Sequence, residues 1–294
     1  MSEANTETPL ARLVGLLQLE TAGQDRFRGH SENIGTPAVF GGQVLAPAHM
    51  AACLTVPGER VAHSLHAYFL LPGRHAPIDD QVERVRDGGS FSTRRVVAMQ
   101  DEQPIFEVLA SFQARAEGID RHDPMPPVPG PEGIPSELQQ LRKVIDWVPA
   151  PMREILVTAG AIEYRPLVPY ELVEPTPREA RSSIWLRATG TLPAALPLHQ
   201  SLLAYASDHG LLRTATLPHA LSYLRGDVRV ASLDHAMWFH RDFRIDDWLL
   251  FQVESPSVVG GRAIARGVFY SRDGCLVASA VQEGIMRTPA GRHG

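Results

Sequence analysis

Two stretches of this chain repeat one another at a fixed distance, and that repeat limits the possible folds more than any other feature. HSLHAYFLLPG, a strand-like VERVRDGGSFSTRRVVAMQ and PIFEVLASFQ are answered later by SLDHAMWFHRDF, LLFQVESPSVVGGRAIARGVFY and CLVASAVQEG. Gln113 and Gln282, each ending the last strand of its set, lie 169 positions apart, and His66 and His235 share that offset. Equal offsets at two points argue for internal duplication. Between the copies, eight of the 24 prolines fall within residues 124–151, a density that no helix or inner strand tolerates. The chain therefore reads as a first unit over 10–117, a proline-rich joint over 118–180 and a second unit over 181–290. Inside the joint, Ser136 is placed to cap one short helix reaching to about residue 147.

Each unit opens with a mostly apolar segment, over 42–54 and 198–212, which reads as a buried helix. Pro47 removes a backbone hydrogen bond from the first of these, so a kink or a late start is expected. The segments that follow are rich in Val, Ile, Phe and Tyr. They are broken by Asp87-Gly88 and Asp273-Gly274, which favour antiparallel hairpins. One buried helix wrapped by an antiparallel sheet, twice over, is an α+β arrangement.

At 294 residues the chain can bury a full core without disulfides or structural metals. A net charge of −5, with 27 scattered arginines and the single Lys143, argues against wrapping nucleic acid or coating an anionic membrane. The stretch over 36–58 is uncharged but too interrupted by Gln43, Pro47, His49 and Pro57 to span a bilayer. The opening residues lack the apolar run of a secretory signal, and the final GRHG is no retention or peroxisomal address, so a cytoplasmic protein is expected. Cys53 and Cys275 read as reduced thiols without a chemical role. The pairs His63/His66 and His235/His240 have spacings that turn the two rings to opposite faces of a strand, so no metal site is expected. Gly88-Gly89-Ser90-Phe91-Ser92 lacks the last glycine of a nucleophile elbow, and there is no dinucleotide fingerprint or P-loop. Trp238 and Phe239 read as core rather than as a stacking platform.

Taken in order, FGGQVLAPA, HSLHAYFLLPG, DGGSFSTRRVVAMQ, the proline-rich joint, YASDHG, LDHAMWFHR and LVASAVQEGIMR closely resemble the acyl-CoA thioesterase II family, from about Leu10 to Arg287. The resemblance implies a double hotdog, with two tandem domains each holding a long helix in a curled antiparallel sheet. It implies hydrolysis of fatty acyl-CoA to free acid and CoA without metal or cofactor, and a homodimer or homotetramer. The family's water-activating aspartate falls on Asp208 and its glutamine on Gln282, while its threonine is replaced here by Ser232. Serine keeps the hydroxyl and loses the methyl that stiffens its rotamer.

A thioester carbonyl yields to water that is oriented and partly deprotonated. A carboxylate near its reference pKa of ~3.9 is a weak base that burial strengthens. Asp208, in the largely apolar LLAYASDHGLL, needs partners there, and a hydroxyl and an amide supply them. Gly41 and Gly42, ahead of the first helix, are candidate backbone donors to the oxyanion. Read alone, Asp208 would be a helix cap, Ser232 a plain strand serine and Gln282 a structural glutamine. Offsets of 157 in the helices and 169 in the strands set Ala51, His63 and Gln113 opposite Asp208, Ser232 and Gln282, so one site per chain is expected. Two other readings fit a chain of this kind: a hotdog hydratase or dehydratase acting on enoyl-thioesters, and a non-catalytic acyl-CoA-binding protein.

Overall fold

The computed structural model describes residues 7–148, 153 and 160–289. The readings of both chain ends, and of the close of the proline-rich run, lie wholly or partly outside them. The first half begins with α1 (Pro9–Gly15), capped by the Thr8 hydroxyl, then β1 (Glu20–Gly23), β2 (Arg26–Gly29) and α2 (Gly42–Cys53). It continues with β3 (Arg60–Phe69), β4 (Ile78–Asp87), β5 (Phe91–Gln100) and β6 (Gln103–Ala114). The joint carries α3 (Glu137–Arg142) and a 3-10 turn at Ile145–Trp147. The Ser136 hydroxyl accepts from the Gln139 N–H while the Gln139 side chain accepts from the Ser136 N–H, a reciprocal cap at the expected residue.

The second half repeats the order. β7 (Ile162–Pro166) and β8 (Arg181–Ala188) precede α4 (Leu196–Ser207), then come a 3-10 helix (Leu212–His219), β9 (Arg229–Ser232) and β10 (Asp234–Phe239). β11 (Leu249–Val259), β12 (Arg262–Ser271) and β13 (Leu276–Arg287) complete it. The segment expected as connector over 118–180 is therefore not all connector, because β7 lies in it and pairs with β8. The strands form one antiparallel sheet in the order β1-β2-β4-β5-β6-β3-β10-β13-β12-β11-β8-β7, with β9 pairing to β13 off this path. The halves join where β3 meets β10, from Asp234 opposite Tyr68 to Trp238 opposite Ser64.

Both long helices lie inside the sheet and pack on each other. Each is apolar around most of its circumference, as a helix covered on all sides must be. His49 and Ser201, both fully buried, join them through Nδ1 and Oγ at 2.8 Å. Burial lowers the His49 pKa to about 4, so this bond is made by a neutral ring, and pushes the neighbouring Cys53 thiol up to about 12.

Three local expectations change. α2 begins at Gly42 and runs through Pro47, so there is no late start; the proline costs it one backbone bond. α4 stops at Ser207 rather than near Leu212, because Gly210 adopts φ +86 and turns the chain out of the helix. The offset of 169 matches letters but not faces. His66 is exposed on the outer face while His235 is fully buried. Gln113 follows the buried Phe112 and points outward, whereas Gln282 points inward. An odd shift along a strand reverses every side chain, so neither pair occupies equivalent positions. Phe239 joins the core as expected, but Trp238 lies on the outer face against His66.

Candidate active site

Asp208 is the C-cap of α4, the position where the chain leaves the helix and its side chain is free to face the sheet. Ser232 ends β9, directly opposite Gly284 of β13. Gln282 lies two residues earlier on β13 with 0% exposure. The three side chains meet. The Ser232 hydroxyl donates to Asp208 Oδ1 at 3.1 Å, and Gln282 Nε2 donates to the same oxygen at 2.5 Å and to Ser232 Oγ at 2.8 Å. Asp208 Oδ2 accepts the Gly42 N–H at 3.0 Å, from the first turn of α2. The carboxylate is thus held by three donors drawn from both halves of the chain.

Glycine is required here for space. A Cβ on Gly41 would sit 2.6 Å from Asp208 Oδ2 and 2.8 Å from the Phe69 ring, and one on Gly42 would sit 2.6 Å from the Tyr205 carbonyl oxygen. A Cβ on Gly284 would lie 2.8 Å from the Ala231 carbonyl oxygen, so this glycine lets β9 bring Ser232 close. Sequence reasoning missed Gly284. The available signal was a glycine in an otherwise β-favouring strand, two positions past Gln282.

The neighbours of Ser232 do not form a nucleophile triad. Asp234 Oδ1 accepts the Glu283 N–H at 2.6 Å. His235 Nε2 pairs with Ser207 Oγ at 2.8 Å, and burial brings this ring to about 4, hence neutral. One residue beyond Asp208, His209 Nε2 meets Glu137 Oε2 of α3 at 2.7 Å, with the ring stacked on Tyr164. Arg213 Nη1 stands 3.6 Å from Glu137 Oε1. Desolvation pushes the Glu137 carboxyl up, but its contacts with His209 and Arg213 outweigh this and hold it below the usual range. No local pattern marks this cluster, since Glu137 and His209 lie 72 positions apart.

In the first half, Leu54 caps α2 as Asp208 caps α4, and the fully buried Ala51 lies a turn before it. His63 bonds Ser111 at 2.8 Å. Ala51, His63 and Gln113 are therefore not assembled into a second carboxylate–hydroxyl–amide group.

Two helix-in-sheet units fused into one sheet, with such a group at one helix end, define a protein of the double hotdog thioesterase class. A conserved protein with a hotdog fold from Alicyclobacillus acidocaldarius matches the architecture with a TM-score of 0.75 at 21% identity, covering 95% of this chain and 99% of that one. Family models described as acyl-CoA thioesterase N-terminal domain and acyl-CoA thioesterase match residues 28–113 and 163–285. Acyl-CoA thioesterase 2 of Haemophilus influenzae is 39% identical over 95% of this chain and 98% of its own. Acyl-coenzyme A thioesterase 8 of Homo sapiens is 36% identical over 92% of this chain and 88% of its own. An acyl-CoA thioesterase II from Mycobacterium marinum superposes with a TM-score of 0.78 at 39% identity, over 95% of this chain and 99% of that one. The chain belongs to the acyl-CoA thioesterase II family, and is a thioester hydrolase. Among the described residues no helix is long and apolar enough to cross a membrane.

Proposed function

We propose that this protein hydrolyses fatty acyl-CoA to free fatty acid and CoA, using a water held and deprotonated by Asp208, Ser232 and Gln282. The observation that carries this reading is the bonding pattern of the cluster. An ionised carboxylate offers about four acceptor positions, and three of them take Gly42, Ser232 and Gln282. The remaining one suits a water proton. Gln282 Oε1 is buried and accepts no hydrogen bond from the protein, so it suits the other proton of that water. Both hydrogens held, the water directs a lone pair at the thioester carbon. Asp208 takes one proton as the C–O bond forms, the tetrahedral oxyanion collapses, and as the C–S bond breaks that proton passes to the leaving sulfur, releasing CoA thiol and restoring the carboxylate.

Gly42, expected to serve the oxyanion, holds the base in place instead. Stabilisation of the oxyanion then falls to the positive N-terminal end of α2 around Gly41, which approaches Asp208 closely enough to share the site. Gly41→Val would push the carboxylate aside, and displacements of this size cost about 10²-fold in kcat. Thiol release by a variant with an unaltered circular dichroism spectrum checks this; wild-type kcat would remove Gly41 from the site.

One working site per chain follows from Leu54 at the first cap and from the outward Gln113. The overall reaction is tested by thiol release from a panel of acyl-CoAs, followed with a thiol reagent. Release with matching free acid is the expected result. Hydration of an enoyl-CoA without thiol would favour the hydratase reading, and binding without turnover the carrier reading; either outcome refutes the proposal.

A further inference from the structure

A cavity of about 670 Å³ opens beside the cluster, and neither repeat alone encloses it. Its walls come from α1 (Leu13), the end of α4 (Tyr205), the 3-10 helix and the loop after it (Leu217, Leu221), and the connector helix α3 (Leu138, Leu141). Asp208, Ser232 and Gln282 do not line it themselves, but residues next to the cluster do. Tyr205 and His209 line it from either side of Asp208 in sequence, and Gln43 lines it next to Gly42, whose N–H holds the carboxylate.

The charges around this cavity are already engaged. Arg12 pairs with Glu32 at 2.7 Å, Arg213 stands 3.6 Å from Glu137, and Arg178 lies over the Tyr170 ring. Arg12 and Arg213, each paired with a carboxylate, are poorly placed to receive the phosphates of CoA, whereas the leucines offer a surface for hydrocarbon. The volume falls within the ~300–1,000 Å³ of pockets that enclose small ligands. At roughly 30 Å³ for a group the size of a water or a methylene, it holds a chain of about twelve carbons with room to spare.

Leu138 and Leu141 are three apart on α3 and so share one of its faces. The helix that presents them is fixed from two sides. Its N-terminus is closed by the Ser136–Gln139 reciprocal cap, and Glu137 ties it to His209, the residue that follows Asp208.

We infer that this cavity receives the acyl chain, and that the connector helix α3, through Leu138 and Leu141, sets the longest chain accepted. This rests on the assignment of Asp208 as the base, because only then do Tyr205, His209 and Gln43 set the cavity next to the reaction. Specificity for chain length would reside in the joint between the copies and not in either copy.

The test compares kcat/KM for straight acyl-CoAs from butanoyl to octadecanoyl in wild type, Leu141→Trp and Leu141→Ala. Filling the wall should lower the ratio of dodecanoyl to butanoyl kcat/KM by at least about tenfold, since each methylene refused in an apolar pocket is worth roughly 10-fold or more. Opening the wall with Leu141→Ala should move the optimum to longer chains. If Leu141→Trp does not fold, Leu141→Ala decides alone. A length profile that keeps its shape in the folded variants, whether or not the overall rate changes, overturns the proposal. Asp208→Asn is run in parallel: full activity there would overturn the assignment of the base, while a length profile altered at Leu141 would still report where the chain lies.

Discussion

Asp208→Asn is expected to lower kcat by about 10³-fold, within the 10²–10⁴ range that a positioned general base contributes, for every acyl chain tested. The substitution keeps the shape of the side chain and removes its capacity to take a proton. It also disturbs the bonding. Ser232, Gln282 and Gly42 all donate to the carboxylate. An amide oxygen turned toward Ser232 and Gln282 presents its NH₂ to the Gly42 N–H, and a donor facing a donor costs about 1–3 kcal/mol. The variant should therefore fold with a modestly lower Tm and release almost no thiol. Retention of most of the activity would remove Asp208 from the chemistry. A variant that failed to fold would make the residue structural, and Asp208→Ala, which relieves the donor clash, separates the two outcomes.

Gln282→Leu should divide activity from stability. The amide donates to Asp208 and Ser232, and its own oxygen is buried without a partner in the protein. Leucine is close in size but removes both donated bonds, leaving Asp208 Oδ1 and Ser232 Oγ each short of one donor, which costs about 1–3 kcal/mol. Asp208 keeps Gly42 and Ser232, so the local structure survives. The water loses one of its two anchors, and kcat is expected to fall by about 10²-fold while Tm falls only modestly. A variant that no longer folds would mean that Gln282 serves the fold. Unchanged kcat would mean that the amide takes no part in placing the water.

The duplication was legible because strands recur in a fixed order with fixed spacing, and the strand order of the two halves repeats accordingly. The face of each residue was not. β3 carries an irregularity between Ala62 and Ser64, and β12 against β13 carries another between Phe269 and Tyr270. One extra residue in a strand reverses the faces beyond it, and nothing in the local composition marks where it falls. The buried Leu65 and Ala67 of β3 answer the buried His235 and Met237 of β10, a spacing one residue away from the one the letters share, so the pairing of His66 with His235 fails in space. The end of α4 was misjudged for a related reason. Leu211 and Leu212 extend the apolar pattern, but Gly210 ends the helix through its φ of +86. The members of the candidate site were found through the resemblance of YASDHG, ASLDH and VQEG to a known family, since isolated aspartates, serines and glutamines carry no such mark. The bond from Gly42 to Asp208 spans 166 positions, beyond the reach of any local pattern.

That bond couples the fates of the two copies. A descendant chain that shed its first half would keep Asp208, Ser232 and Gln282 and still lose the backbone group that orients the first of them. The copy without a carboxylate is thus free to drift in its outer surface and its loops but not at Gly41 and Gly42. Under the proposed assignment the first copy is relieved of the reaction but still accountable for its geometry, so the two copies cannot be parted by simple division without loss of that bond.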